Sequence, residues 1–286
     1  MKHPLSISVI IPVYNRCQFL HEALDSVARQ QYQPLEILIV DDGSTDDVEK
    51  CVLEYSESIR YVRRARHLGA AAARNAGIQH ARGDSIAFLD NDDVWTPTHL
   101  SQLAGCLEAD PAIQIAQGRL RNFRDSGDGA RFWCSPPYYL ASLPSAIYRR
   151  QVFETVGPLD ESLKFGEDCD FFMRCWERNI EKAKVDHLSL LYRRHPHNMT
   201  ARKNLRELGL VQVYRKRRDR IEQGLYMPRS TPFGLMRDYL GESPAAYDDG
   251  RREPVDEALF GHLHGREQGT GNLGNHTGLQ RMQIPS

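Results

Sequence analysis

The stretch ISVIIPVYN, residues 7–15, is the run from which the fold is read. Ile7, Val9, Ile10, Ile11 and Val13 form a nearly continuous apolar, β-branched series, as expected of a strand buried on both faces. The run stops at Tyr14 and Asn15, so polar side chains sit at its carboxyl end. Working outward, residues 35–40 (LEILIV), 59–62 and 85–89 (SIAFL) repeat the short apolar pattern. Between them, Phe19, Leu20, Ala23, Leu24, Val27 and Ala28 recur at helical spacing. Ser44 or Thr45 is placed to cap a second helix that runs to about Tyr55. Residues 69–81 read as an Ala-rich helix, with Gly83 as its terminating glycine. This β-α-β-α-β-α-β order predicts an α/β fold with a mostly parallel central sheet and helices on both faces.

The unusual polar residues fall at strand ends. Tyr14 and Asn15 follow the first strand, Asp41 and Asp42 the second, and Asp90, Asn91, Asp92 and Asp93 the fourth. Open α/β sheets bind ligands in the crevice outside those ends. Three separate strand ends therefore converge on one expected site.

Further on, Thr96 and Pro97 read as the cap and first residue of a helix that reaches Leu107. Residues 119–139 mix charges, Gly, Pro and aromatics and read as a loop-rich region over the site. A strand over 145–149, a turn at Gly157 and Pro158, a helix over 167–178, a strand over 183–193 and a helix over 205–224 complete the pattern. From about Pro228 the periodicity fades, and the Gly-rich last 22 residues are expected to be disordered. The expected layout is one domain over 1–225: a nucleotide-binding half over about 5–110, an acceptor half over about 111–200 and a basic helix over about 202–224. A C-terminal helical extension with a flexible tail then occupies 226–286.

Composition narrows the function classes. The 286 residues carry 37 basic and 38 acidic side chains, a net charge of −1. No global positive field argues for nucleic acid. The six cysteines (Cys17, Cys51, Cys106, Cys134, Cys169 and Cys175) are scattered without a CxxC pair. In sequence they fit neither a zinc site nor a disulfide framework, and free thiols in a reducing, cytoplasmic compartment are expected. No run of about 18 apolar residues suggests a membrane span. Residues 202–222 are rich in Lys and Arg with a partial apolar face. A solvated helix packed on the domain is the simpler expectation; peripheral docking on the inner face of an anionic membrane is the alternative.

Three constellations carry chemistry. Asp90 and Asp92 flank Asn91, and such oxygen ligands suit Mg²⁺ or Mn²⁺, which in turn can neutralise a phosphate leaving group. A turn that caps the next helix is the plainer alternative. Asp41 and Asp42 could accept hydrogen bonds from a nucleobase or ribose, Asp42 foremost, or simply form an Asp-Gly turn. Glu167, Asp168 and Asp170 open a predicted helix, where acids stabilise the dipole. One of them could instead act as a general base.

In order along the chain, SVIIPVYN, EILIVDDGSTD, GAAAARNAGI, FLDNDDVWTP and VGPLDESLKFGEDCDFFMR resemble the motifs of the family 2 glycosyltransferases of the GT-A fold, over roughly residues 5–200. The resemblance implies inverting transfer of one sugar from a nucleotide-diphosphate sugar, a UDP-sugar above all, to a saccharide or lipid-linked acceptor. It implies that Pro12, Tyr14 and Asp42 hold the base and ribose, and that Asn91 assists at the ribose or diphosphate. Asp92 and Asp90 match the metal-binding DxD, and Asp168 matches the catalytic base. Glu167, Asp93, Arg74 and His195 are further candidates, His195 because some GT-A enzymes place a histidine near the metal. Some relatives carry a nucleotide-contacting arginine just before the Ala-rich helix. Here that place is near Gly69, so Arg74 or Arg66 would substitute. The QxxRW motif of processive synthases is absent, in keeping with single-sugar transfer. The alternatives are a nucleotidyltransferase, disfavoured by the lack of a Gly-rich phosphate loop after the first strand, and a non-catalytic sugar-nucleotide-binding protein.

Overall fold

The structure, a computed structural model, describes residues 4–56, 59–125, 132–196, 198–199, 208–225, 236–241 and 281–284. β1 (Ile7–Val13), β2 (Glu36–Asp41), β3 (Arg60–Arg64) and β4 (Ser85–Phe88) pair in parallel, in the order β3-β2-β1-β4. β1 thus lies between β2 and β4, and chain progression reverses direction there, as at a ligand-binding switch point. β8 (Ala146–Arg149) joins antiparallel to β4 and then to β6 (Ile115–Asp125). β9 (Lys182–Arg193) runs parallel to β6, and the short β5 (Val94–Trp95) closes that edge. β7 (Phe132–Cys134) pairs with β6.

Burial on both faces of β1 splits the core in two. Ile7, Val9, Ile11 and Val13 point to one face with α1 (Cys17–Ala28), α2 (Val48–Tyr55) and α4 (His99–Ala109). Ile10 points to the other with α3 (Ala70–His80), α5 (Gln151–Val156) and α6 (Glu167–Glu177). This follows from the two-residue period of a strand. α3 lies close to the sheet because its buried face is small: a Cβ added at Gly77 would meet Ile10 Cγ2 at 2.4 Å.

Several local expectations are corrected. Residues 119–139 are not mainly loop, since β6 is an eleven-residue strand. Its central polar side chains Gln117 and Asn122 are buried and hydrogen-bonded, to the Leu140 carbonyl and the Tyr138 hydroxyl. Ser44 and Thr45 do not cap α2, which starts at Val48; the Ser44 hydroxyl accepts from Asn15 N instead. Thr96 does not cap α4, because its hydroxyl donates to the Leu188 carbonyl. Gly83 does not end α3, which stops at His80 before an extended Ala81.

The helix expected over 205–224 is α7 (Leu210–Glu222) in its described part. Three of its basic residues pair with acids elsewhere in the chain: Lys216 with Asp160, Arg217 with Glu177, and Arg220 with both Glu177 and Asp170. Of the residues beyond Pro228, the described ones form α8 (Met236–Leu240) and β10 (Arg281–Ile284), the latter parallel to β3. So part of the stretch expected to be disordered is a strand; most of that stretch lies outside the described residues. α8 covers a buried cation. Lys182 Nζ donates to Gln117 Oε1 (2.8 Å) and to the Tyr239 carbonyl, beneath the rings of Tyr239 and Phe172.

Cysteine pairing is corrected as well. Cys17 and Cys51 are joined as a disulfide, with Cα atoms 6.3 Å apart, while Cys106, Cys134, Cys169 and Cys175 are free. The 34-residue separation hid the pair; packing of α1 and α2 on one sheet face creates it.

Candidate active site

The site begins at the turn after β1. Asn15 and Arg16 both adopt left-handed backbone conformations, with φ of 58° and 66°. Consecutive left-handed non-glycine residues are strained and need support. Asn15 N donates to the Ser44 hydroxyl (2.8 Å), Asn15 Oδ1 accepts from Thr45 N (2.9 Å), and Asn91 Nδ2 donates to the Asn15 carbonyl (3.3 Å). This turn therefore ties together the ends of β1, β2 and β4.

The acids after β2 are saturated with donors. Asp41 accepts from Ser44 N, Tyr61 and Arg63. Asp42 accepts from Gly69 N (2.7 Å), Leu68 N, Arg64 Nη1 (2.8 Å) and His67 Nδ1 (2.7 Å). It thereby draws the β3–α3 loop against the β2–α2 loop. Gly43 permits that contact: its φ is +79°, and a Cβ there would lie 2.8 Å from the Arg66 backbone. The half-exposed Tyr14 ring stacks on His67 with centroids 3.7 Å apart, offering a flat aromatic shelf beside Asp42. Pro12 is buried in β1, paired with Val40.

The acids after β4 are in a different state. Arg74, buried in α3, donates to Asp90 Oδ1 (2.6 Å) and Glu167 Oε1 (2.9 Å) and lies 3.8 Å from Asp168 Oδ1. One guanidinium thus gathers acids from the β4 end and from the first turn of α6. Burial pushes the Asp90 carboxyl above the usual range; Arg74 opposes this, while Asp92 and Glu167 add to it. Burial likewise pushes Asp168 up to about 7, opposed by Arg74 and reinforced by Glu167 and Asp90. Asp168 Oδ2 accepts from Leu143 N (2.9 Å), but its Oδ1 is buried without a hydrogen bond.

Asp92 Oδ2 meets His195 Nε2 at 3.0 Å and Arg16 Nη1 at 3.2 Å, and the His195 ring packs on Phe19. Asp93 points away from this group. It is buried, accepts from Arg193 N (2.9 Å) and anchors β9; burial and the neighbouring Asp92 and Asp90 hold its carboxyl well above the usual range.

The structure thus brings Asp90, Arg74, Glu167 and Asp168 together, and separately joins Asp92 to His195. Tyr14 and Asp42 sit together at the other end of the crevice. Reasoning from sequence missed Arg16, Arg64 and His67. The signal available for each was adjacency: Arg16 follows Tyr14 and Asn15, and Arg64 and His67 lie in the basic run RRARH before Gly69.

Residues 8–160 match the model of the family described as glycosyl transferase family 2. The chain belongs to that family. This family 2 glycosyltransferase is similar to curated relatives described as uncharacterised glycosyltransferases. An uncharacterised glycosyltransferase of Bacillus subtilis, YwdF, is 29% identical over 201 residues, covering 66% of this chain and 74% of the relative. One from Rickettsia conorii is 50% identical over 195 residues, 60% of this chain but 30% of the relative. One from Rickettsia felis is 48% identical over 95 residues, 32% of this chain. The chain spans 16% of the length of that last relative.

Among solved structures, S. aureus TarS 1-349 in complex with UDP-GlcNAc matches with a TM-score of 0.59 and 21% identity, over 70% of this chain and 62% of that one. S. aureus TarS 1-349 in complex with UDP matches at 0.55 and 23%, over 67% and 61%. These likenesses establish the GT-A type of fold. Among the described residues, no helix is long and apolar enough to cross a membrane.

Proposed function

We propose that this protein transfers one sugar from a UDP-sugar to a hydroxyl of a saccharide or lipid-linked acceptor, with inversion at the anomeric carbon. One observation carries the reading: a carboxylate raised to about 7, with one buried oxygen free of hydrogen bonds, faces the acids at the end of β4 across Arg74. A general base works best with a pKa near the operating pH. The Asp168 carboxylate, whose side chain is partly exposed, is the group that takes the acceptor's proton. The acceptor oxygen then attacks the anomeric carbon from the face opposite the diphosphate, so the configuration inverts. Arg74 opposes the rise of the surrounding carboxyls and holds Asp90 and Glu167 beside Asp168. Tyr14 and the two loops that Asp42 draws together receive the base and ribose, with Asn91 beside them. UDP is the favoured carrier because the structural neighbours include TarS complexes with UDP and UDP-GlcNAc.

Asp92, with Asp90 and His195, offers oxygen and imidazole donors suited to Mn²⁺ or Mg²⁺. They do not form a closed ligand cage, which suits an ion that completes its shell with water and substrate phosphates. Such an ion supplies positive charge to the departing diphosphate when bound.

The test is thermal unfolding with UDP, GDP, CDP and dTDP, each with and without Mn²⁺. A nucleotide at about 100 times its dissociation constant adds roughly 2.7 kcal/mol, which a melting curve resolves. The expected result is a shift with UDP that depends on Mn²⁺ and is lost in Asp92→Ala. A shift unaffected by Mn²⁺ and by Asp92→Ala would remove the metal assignment.

A further inference from the structure

A second cluster of donor atoms lies outside the acid crevice. Cys17 and His21 are four residues apart on α1 and project from successive turns of one helix face. Cys51, on the first turns of α2, faces them. One donor atom from each of the three lies within 4.8 Å of the other two. We propose that Cys17, His21 and Cys51 bind a soft divalent cation, Zn²⁺ foremost, whenever both sulfurs are reduced.

The chemistry selects the ion. Two thiolates and an imidazole suit Zn²⁺ and disfavour Mg²⁺ or Mn²⁺. With Zn–S of about 2.3 Å and Zn–N of about 2.0 Å, tetrahedral ligand atoms lie roughly 3.5–3.8 Å apart, so the two sulfurs, bonded to each other here, must separate on reduction to take the metal. His21 Nε2 lies 3.4 Å from the Cys51 carbonyl, and a ring nitrogen stands near enough to both sulfurs to supply a third ligand. The two sulfurs are half-buried and His21 is exposed, so an ion has a route in from solvent and a fourth position open to water.

Binding is balanced by protons: each thiol gives up one as its sulfur takes the metal, and His21 binds as the neutral ring. The disulfide described above and the metal site are therefore alternative states of the same two sulfurs. The position gives the site its consequence. Cys17 directly follows the strained Asn15–Arg16 turn, and Cys51 lies on the helix that leaves the Asp41–Thr45 loop. A metal here would clamp the two loops that shape the nucleotide end of the crevice, and none of its ligands belongs to the acids at the end of β4.

The test uses the full chain, fully reduced, stripped of metal and titrating all six cysteines. It is then loaded with Zn²⁺ and, in parallel, with Co²⁺. The expected result is one Zn²⁺ per chain, a raised melting temperature and a thiolate-to-cobalt charge-transfer band. Losing an outer-shell partner of a metal site typically costs 10–100-fold in affinity, so losing a ligand in His21→Ala or Cys51→Ser should cost about 100-fold or more. His21 is exposed, so His21→Ala should fold normally and separates ligand loss from misfolding. Three results would each overturn the proposal: no Zn²⁺ on a chain with six free thiols, Zn²⁺ binding undiminished in both variants, or a folded chain that resists reduction and titrates only four thiols. None of these readouts depends on sugar transfer, so the proposed activity can fail or stand separately.

Discussion

Two acidic pairs sit at carboxyl ends of parallel strands in this molecule, and their surroundings are opposite. Asp42, after β2, accepts from two backbone N–H groups, Arg64 and His67; Asp41 beside it is likewise filled. Asp90, after β4, shares one guanidinium with Glu167 and Asp168, and the set includes raised carboxyls and an oxygen with no hydrogen bond. The first arrangement is satisfied within the protein and holds loops together. The second remains electrostatically incomplete, as expected where a cation or a substrate proton is to be received. Residue type and position in the fold are the same; only the supply of donors differs.

The contrast can be broken most sharply at Asp168. Asp168→Asn should cut sugar transfer by about 10²–10⁴-fold, since it removes the base. It should leave UDP binding intact. It should also leave the stability of the metal-free chain at pH 8 unchanged or higher, because the amide resembles the protonated acid. Near-normal turnover would refute the base assignment. Asp42→Asn should do the reverse to stability. Removing a buried charged acceptor of this kind costs about 1.5–3 kcal/mol, measurable by urea unfolding of the metal-free chain. An unchanged midpoint would mean that the saturated pair is not the loop clamp described here.

A third measurement uses pH. Because the Asp168 carboxyl is raised to about 7, the folded chain retains a proton that the unfolded chain has lost between about pH 4 and 7. Stability should therefore fall as pH rises through that window, by up to about 1.4 kcal/mol per unit for one proton. Burial holds His99 and His187 below the usual histidine range, and they act in the opposite direction. The quantity to read is therefore wild type minus Asp168→Asn, in chelator, from pH 5 to 8. It should decline; a flat difference would mean that Asp168 ionises normally. The smallest expected effect belongs to Ser44→Ala. This change deletes one hydrogen bond to Asn15 N and should cost about 0.5–1.5 kcal/mol, with a weaker UDP shift as the turn loosens.

Much of this was legible in the sequence where the pattern is local. β1 matches its apolar run, β9 is met within one residue, and the polar strand ends mark the crevice. What was hidden depends on distant partners. β6 reads as loop because its polar residues look solvated, yet Gln117 and Asn122 are buried and bonded to groups 16–23 residues away. Arg74 lies 93 residues before the Glu167 that it pairs with, and no periodicity reports that. Helix starts were misplaced for a related reason. Ser44 and Thr96 are good capping residues, but their hydroxyls are used by a strand-end turn and by β9.

The buried ammonium beneath α8 has a practical consequence for anyone who shortens this protein. A truncation after residue 225 looks harmless, since it removes little that reads as core. It would also strip the Tyr239 carbonyl and ring from Lys182, and open to water a charge held against Gln117 and Phe172. Water solvates the freed ammonium, but Phe172 and the apolar cluster that Tyr239, Met236 and Leu240 cover would be laid bare, so such a fragment should melt at a lower temperature than the full chain.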